Sequence, residues 1–446
     1  MKILFISLGC DKNLVDAEVM LGLLHSRGYT MTDTEEEADI IVVNTCCFIS
    51  DAKDESVEQI LDMAKYKQQG NLKALLVTGC MAQKYKEDIM TEIPEVDAVL
   101  GTTSYEQILE VIDAILEKTD APRVIIRDEN LMPETSKRML TTGGHFAYLK
   151  IAEGCDKHCT YCMIPQVRGN FRSVPLDKLI EQAIDLVDQG VKELILVAQE
   201  TTVYGVDLYG EKTLPKLLRE LAKIPALRWI RVLYCYPEEI TDELIETFAT
   251  EPKVLHYIDM PIQHASDEIL KRMGRKTTRA ELTELITKLR HRIADICIRT
   301  TLIVGFPGET QEQFDELLDF VDEMEFDRLG VFPYSREDDT PAASMPNQVD
   351  EEVKIKRQEE VMLLQQEIAF EKAEDMVGQE LWVMIEGNVA DEAVYVGRTY
   401  RDTPNIDGLI FIHTDANLMT GDFVQVKITA AKEYDLIGGL VDELTE

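Results

Sequence analysis

A chain of 446 residues is too long for one hydrophobic core and is expected to divide into two or three domains. Its 45% hydrophobic content suits packed interiors, and the absence of any apolar run of about 18 residues excludes a transmembrane helix. The net charge of -37 disfavours nucleic acid as the main ligand, because phosphate binding needs a basic footprint; it fits either plain solubility or a strongly basic partner.

The opening MKILFISLGCDKN reads as a strand start rather than a signal peptide, so a cytoplasmic protein without membrane association is expected. Residues 1–125 alternate strand and helix. KILFISLG precedes an amphipathic NLVDAEVMLGLLHSRG, DIIVVNT precedes DAKDESVEQILDMAKY, and KALLVTG precedes MAQKYKEDIM. Apolar runs separated by helical periodicity indicate an open parallel sheet in βα units. A polar stretch with Pro and Gly, 126–144, reads as a linker.

A second alternation spans residues 145–375. HFAYLKIA, KELILVAQ, WIRVLYC, YIDMPIQ, ICIRTTLIVG and DRLGVFPY are six candidate strands with helical segments between them, followed by a charged exit helix over 350–375. Six units predict a partial (β/α)6 barrel whose reactive face lies at the C-terminal ends of its strands. Within it, KRMGRKTTR (271–279) stands out as a short basic patch. From 376 to 446 the pattern changes to LWVMIEG, AVYVGRTY, GLIFIHT and FVQVKITAA between Gly and Asp turns, which predicts a small antiparallel β domain. The fold class is therefore α/β with a C-terminal β domain.

Nine cysteines in a long intracellular chain point to metal or redox use before disulfides. Cys155, Cys159 and Cys162 crowd into EGCDKHCTYCMIPQVRG with no fourth cysteine nearby. Structural zinc takes four ligands, usually as two pairs, and no second CxxC pair exists; His158 is too close to Cys159 for unstrained tetrahedral ligation. A cubane cluster held by three thiolates would keep one iron open to a substrate or cofactor. Cys10, Cys46 and Cys80 each follow a predicted parallel strand, where ligand sites of open α/β sheets form. Cys47 doubles the middle cysteine, while Cys235 and Cys297 read as interior strand residues.

CDKHCTYC resembles the CxxxCxxC signature of radical S-adenosylmethionine enzymes. That resemblance implies a 4Fe-4S cluster whose open iron chelates the cofactor and delivers the electron that releases a 5′-deoxyadenosyl radical. It makes Tyr161 a candidate neighbour of adenine. It also makes Gln199, in LVAQE (196–200), and Gly305, in TLIVGFPGE (301–309), candidate cofactor contacts. Across nearly the whole chain, SLGCDKNLVDAE, VNTCCFISDA, VTGCMAQKY, YIDMPIQHAS, LKRMGR and IVGFPGET are similar to the methylthiotransferases, and the closing segment resembles their TRAM domain. The implied reaction replaces an aliphatic C–H by C–SCH₃, which no side-chain base could initiate at ordinary pH. A second cluster on Cys10, Cys46 and Cys80 would hold the transferred sulfur, and S-adenosylmethionine would serve as both radical source and methyl donor.

CDKNLVDAE looks like the branch acting on an aspartate of a small-subunit ribosomal protein (RimO type) rather than the tRNA adenosine branch. The acidic C-terminal domain, with 13 Asp and Glu against 4 Lys and Arg over 376–446, agrees with a basic ribosomal protein as partner, free or in the ribosome, and with no direct tRNA binding. An electron donor such as flavodoxin or ferredoxin is implied. A non-catalytic iron–sulfur carrier is the alternative of another class, and it would not need this much scaffold.

Overall fold

The computed structural model describes residues 1–133, 138–390 and 392–444. Its N-terminal sheet is wholly parallel. It contains β1 (Lys2–Ser7), β2 (Thr30–Met31), β3 (Ile40–Thr45), β4 (Ala74–Gly79), β5 (Ala98–Leu100) and β6 (Val124–Ile125), in the order β2-β1-β3-β4-β5-β6. β3 and β4 are buried at every position, because successive residues enter two different cores. Ile41, Val43, Leu75 and Val77 pack on one face, and Ile40, Val42, Ala74 and Leu76 on the other. β2, β5 and β6 were not legible in the sequence, since two or three residues are too few to show a period.

The stretch read as a linker has residues 134–137 outside the described part. Just beyond them the chain is anchored rather than loose. Arg138 Nε donates to Glu18 Oε2 at 3.1 Å and Nη1 to the Tyr148 carbonyl at 2.6 Å, both in a buried setting. This ties the segment to the first helix, Asp11–Ser26, and to the strand that opens the barrel.

Six parallel strands form the barrel: β7 (Phe146–Lys150), β10 (Glu193–Val197), β11 (Trp229–Val232), β12 (Val254–Asp259), β13 (Cys297–Val304) and β14 (Arg328–Pro333), running β14-β13-β12-β11-β10-β7. A short antiparallel pair, β8 (Ala152–Glu153) with β9 (Arg172–Ser173), brackets the cysteine loop. Six strands leave the barrel open between β7 and β14, as the sequence predicts. Val15 of the first helix packs with Phe146, Tyr148, Trp229 and Tyr257 on the barrel's concave side. Cys235 and Cys297 are fully buried among these strands, in keeping with interior roles.

After the exit helix Glu351–Glu374 comes a closed five-stranded barrel of β15 (Glu380–Asn388), β16 (Val394–Arg398), β17 (Ile410–His413), β18 (Phe423–Lys432) and β19 (Asp435–Leu440). It is not purely antiparallel: β17 pairs with β19 in parallel, which closes the barrel. The sequence reading lacked β19 because DLIGGL carries two glycines, which weaken a strand pattern. This domain plugs the N-terminal end of the large barrel. Arg398 pairs with Glu193 and Glu386 at 2.7 Å each, Arg401 with Asp327 at 2.7 Å, and the Tyr257 hydroxyl donates to Asp407 at 2.8 Å. Two of the domain's four cations are thus consumed inside the molecule. Among the described residues no helix is long and apolar enough to cross a membrane.

Candidate active site: two cysteine triads at the barrel mouth

Cys10, Cys46 and Cys80 stand at the C-terminal ends of β1, β3 and β4, which are adjacent in the sheet. Two left-handed glycines bring them in. A side chain on Gly9 (φ +88) would strike Cys46 Cβ at 2.8 Å, and one on Gly79 (φ +92) would strike Asn44 Oδ1 and the Thr45 carbonyl at 2.5 Å. Asn13 fixes the loops by donating to the carbonyls of Leu8 at 3.1 Å and Thr45 at 2.9 Å. Cys46 and Cys80 are buried and Cys10 is exposed. Burial pushes the Cys80 thiol up to about 12; Arg168 opposes that rise, while the Cys46 and Cys10 thiols add to it. Cys47 turns the other way, into the core, with its Sγ 3.9 Å from Met163 Sδ.

The triad reaches the mouth of the large barrel through its neighbours. The Tyr234 hydroxyl, from the loop after β11, donates to Asp11 Oδ1 at 3.1 Å, and Lys12 Nζ sits 3.3 Å from the centre of the Tyr234 ring. Tyr234 adopts φ 61 and Gln263, after β12, φ 73, conformations that cost a non-glycine residue energy and collect at functional sites.

The second triad occupies the loop after β8. Cys155 and Cys159 are buried and Cys162 partly so. Cys159 Sγ lies 3.5 Å from the Tyr236 hydroxyl, and the Ile164 amide donates to Cys162 Sγ at 3.5 Å. Burial pushes the Cys155 thiol up to about 12. Tyr161 packs its ring against Ile269, Met273 and Phe306, and its phenol is raised by burial and by the adjacent Cys159. Among the described residues no three His, Cys, Asp or Glu side chains close to the spacing of a single metal ion, so neither triad is preformed as a one-ion site.

A buried polar network runs from the strand-end triad to Glu153, at the start of the cysteine loop. Arg168, six residues past Cys162, donates from Nε to Cys80 Sγ at 3.3 Å and from Nη1 to Asp16 at 2.7 Å and Glu153 at 3.1 Å. Lys150 pairs with the same two carboxylates, and Gln199 Nε2 donates to Glu153 Oε1 at 2.6 Å. Sequence reasoning named Gln199 but missed Asn13, Asp16, Lys150, Glu153 and Arg168. The available signal was the spacing of Asn13 and Asp16, three and six residues after Cys10.

Around the barrel triad several buried polar atoms lack a hydrogen-bond partner among the described residues: Gln199 Oε1, Arg275 Nε and Nη1, and two carboxylate oxygens that have only an ion pair, Glu200 Oε2 with Lys157 at 3.4 Å and Glu238 Oε2 with Arg275 Nη2 at 3.7 Å. Burial lifts the Glu200 carboxyl to about 7, with Glu239 and Glu238 adding to the rise and Lys157, 3.4 Å away, opposing it. Arg275 stacks over Tyr236 at 4.1 Å and uses Nη2 on the Pro261 carbonyl at 3.0 Å. The basic patch predicted over 271–279 is smaller than its sequence, with Lys271 and Lys276 exposed. Arg275 turns inward, and Arg279 pairs with Glu323 at 2.9 Å. Gly305 (φ +70) has a local reason to be glycine, because a side chain there would meet Lys354 Cγ at 2.3 Å; the approach it permits is that of the exit helix.

Three family models match the chain: Uncharacterized protein family UPF0004 over residues 2–101, the Radical SAM superfamily over 149–321 and the TRAM domain over 377–441. The chain is 62% identical over 441 residues to ribosomal protein uS12 methylthiotransferase RimO of Lachnoclostridium phytofermentans, covering 98% of this chain and 99% of that one. It is 49% identical over 445 residues to the protein of the same name from Clostridioides difficile, covering 100% of each. In fold it is similar to the radical S-adenosylmethionine methyltransferase TsrM from Kitasatospora setae, solved with cobalamin and a 4Fe-4S cluster, at TM-score 0.56 and 15% identity over 84% of this chain and 78% of that one. The cobalamin-dependent radical enzyme OxsB follows at TM-score 0.52 and 14% identity, over 81% and 56%. With the three domains in order and identity of this level end to end, the chain belongs to the radical S-adenosylmethionine methylthiotransferases of the ribosomal protein uS12 (RimO) family.

Proposed function

We propose that this protein methylthiolates the β-carbon of an aspartyl residue of ribosomal protein uS12, using two 4Fe-4S clusters. One would be held by Cys155, Cys159 and Cys162 and the other by Cys10, Cys46 and Cys80. The observation that carries the reading is the placement of both triads at the C-terminal ends of their strands on one side of the barrel, in a chain 62% identical to a uS12 methylthiotransferase. When bound, the clusters and S-adenosylmethionine supply homolytic C–H cleavage, the sulfur and the methyl group.

The residues present fit that load. Three thiols in one loop leave a position for a non-protein ligand, and the donors of Arg275 and the Gln199 Oε1 acceptor that lack hydrogen-bond partners, with the Glu200 and Glu238 carboxylates beside them, match the carboxylate and amino groups of an amino-acid-like cofactor. Tyr161 and Tyr236 narrow the space beside Cys159 and exclude water from it. Asp11, Lys12 and Tyr234 hold the Cys10 loop over the barrel mouth. The plugged N-terminal end leaves that mouth as the side from which a substrate loop would enter. The acidic character of the chain supports a strongly basic protein substrate, with the electron delivered by a flavodoxin- or ferredoxin-type donor.

Mass spectrometry of uS12 from a deletion strain tests this. The added SCH₂ mass should vanish and return with the intact gene, but not with Cys155→Ala/Cys159→Ala/Cys162→Ala. An unchanged uS12 mass in the deletion strain would defeat the proposal.

A further inference from the structure

Arg168 is 98% buried and places every nitrogen of its guanidinium on a polar partner: Nε on Cys80, Nη1 on Asp16 and Glu153, Nη2 on Asn13. Taking so hydrated a group out of water needs such compensation. The groups paired with one another there are two cations, Lys150 and Arg168, and two carboxylates, Asp16 and Glu153, all buried, with Arg172 beside Glu153. A Cys80 thiolate therefore enters a cluster without surplus anions, and Arg168 is the cation in contact with it. The barrel triad is differently served: its thiols meet a phenol and a backbone amide.

Hydrogen bonds to ligand sulfur and the net charge around an iron–sulfur centre set its reduction potential. A fixed cation with an N–H aimed at sulfur favours the more negative, reduced form. We propose that Arg168 is a positioning residue that raises the reduction potential of the N-terminal centre through its hydrogen bond to Cys80, and that Asp16 and Glu153 hold it in place and moderate its charge. This inference rests on the N-terminal cysteines holding a cluster, as proposed above.

The test uses the full chain with Cys155→Ala/Cys159→Ala/Cys162→Ala, so that only the N-terminal centre contributes, reconstituted anaerobically and titrated with electron paramagnetic resonance detection. Arg168→Gln should move the midpoint to more negative potential and Arg168→Lys should move it less. Asp16→Asn, which strips a compensating anion, should move it to more positive potential. A merely structural role gives no reason for shifts of opposite sign. A background protein that binds no iron would bring down the N-terminal cluster itself, and this inference with it. A background protein with about four irons whose midpoint is unmoved in either Arg168 variant would overturn only the inference. Should both Arg168 variants lose their iron, Asp16→Asn decides, and an unchanged midpoint there overturns it.

Discussion

The triad of Cys155, Cys159 and Cys162 comes from one loop, whereas Cys10, Cys46 and Cys80 come from three strand ends that only the folded sheet brings together. The first is lined by phenols and by the carboxyls of Glu200 and Glu238, with polar atoms left unpartnered. The second is backed by a fully paired guanidinium. Unpaired buried donors and acceptors are costly unless a ligand satisfies them, so the loop triad is the side built to receive a small molecule. The strand-end triad is the side with a buried cation in contact with sulfur. The two triads share one mouth and differ by environment rather than by residue type.

The strongest way to break this division is to remove each triad in turn. Intact reconstituted protein should carry about eight irons, by the stoichiometry of two cubane clusters. Changing Cys155, Cys159 and Cys162 to Ala should remove about half and abolish 5′-deoxyadenosine formation. Changing Cys10, Cys46 and Cys80 should remove the other half while 5′-deoxyadenosine still forms without methylthiolation. Full iron in either variant would void the assignment of that triad. Within the strand-end triad, Cys46→Ser should lose the N-terminal iron, whereas Cys47→Ser should keep iron and activity, because Cys47 points at Met163. The reverse result would exchange their roles.

A smaller effect is expected at Arg275. Losing its two free donors in Arg275→Gln should weaken S-adenosylmethionine binding about 10- to 100-fold, the worth of a charge-assisted hydrogen bond. Equilibrium dialysis against the reconstituted variant measures this, and wild-type affinity would remove Arg275 from the cofactor site. The plugged end supplies the contrast, with the smallest effect on chemistry. Arg398 with Arg231 holds the Glu193 carboxyl, and the His145 hydrogen bond with Arg398 holds that of Glu386, below their ordinary value of 4.5 despite burial. Depressed carboxyls stabilise the folded state above 4.5 and lose that contribution as pH falls through their lowered values. Docking of the C-terminal barrel should therefore weaken only below about pH 4.5. Arg398→Ala, which leaves Glu193 to Arg231 and Glu386 to His145 alone, should cost about 1.5–3 kcal/mol of stability with the barrel triad's iron retained. Calorimetry across pH and an iron assay check both halves.

How much of this was legible in the sequence follows from the range over which each signal acts. β3 and β4 could be read because six consecutive buried residues leave a continuous apolar run. The loop triad could be read because its spacing is local. The strand-end triad was accessible only through repetition, as each cysteine closes a similar apolar strand. Arg168, Asp16 and Glu153 could not be placed, since their partners lie up to 155 residues away and a buried ion pair looks like any surface charge until the chain folds. Nor could the sequence show that Arg398 and Arg401, two of the C-terminal domain's four cations, are buried against carboxylates rather than standing on the surface.

The central claim is that both triads serve one reaction on a basic protein substrate. Reduced, reconstituted protein should be incubated with S-adenosylmethionine and, separately, with purified uS12 or unmodified tRNA, and each product weighed. The account predicts an SCH₂ gain on a single aspartyl residue of uS12, formation of 5′-deoxyadenosine, and unmodified tRNA. A methylthiolated adenosine in tRNA with uS12 unchanged would contradict it.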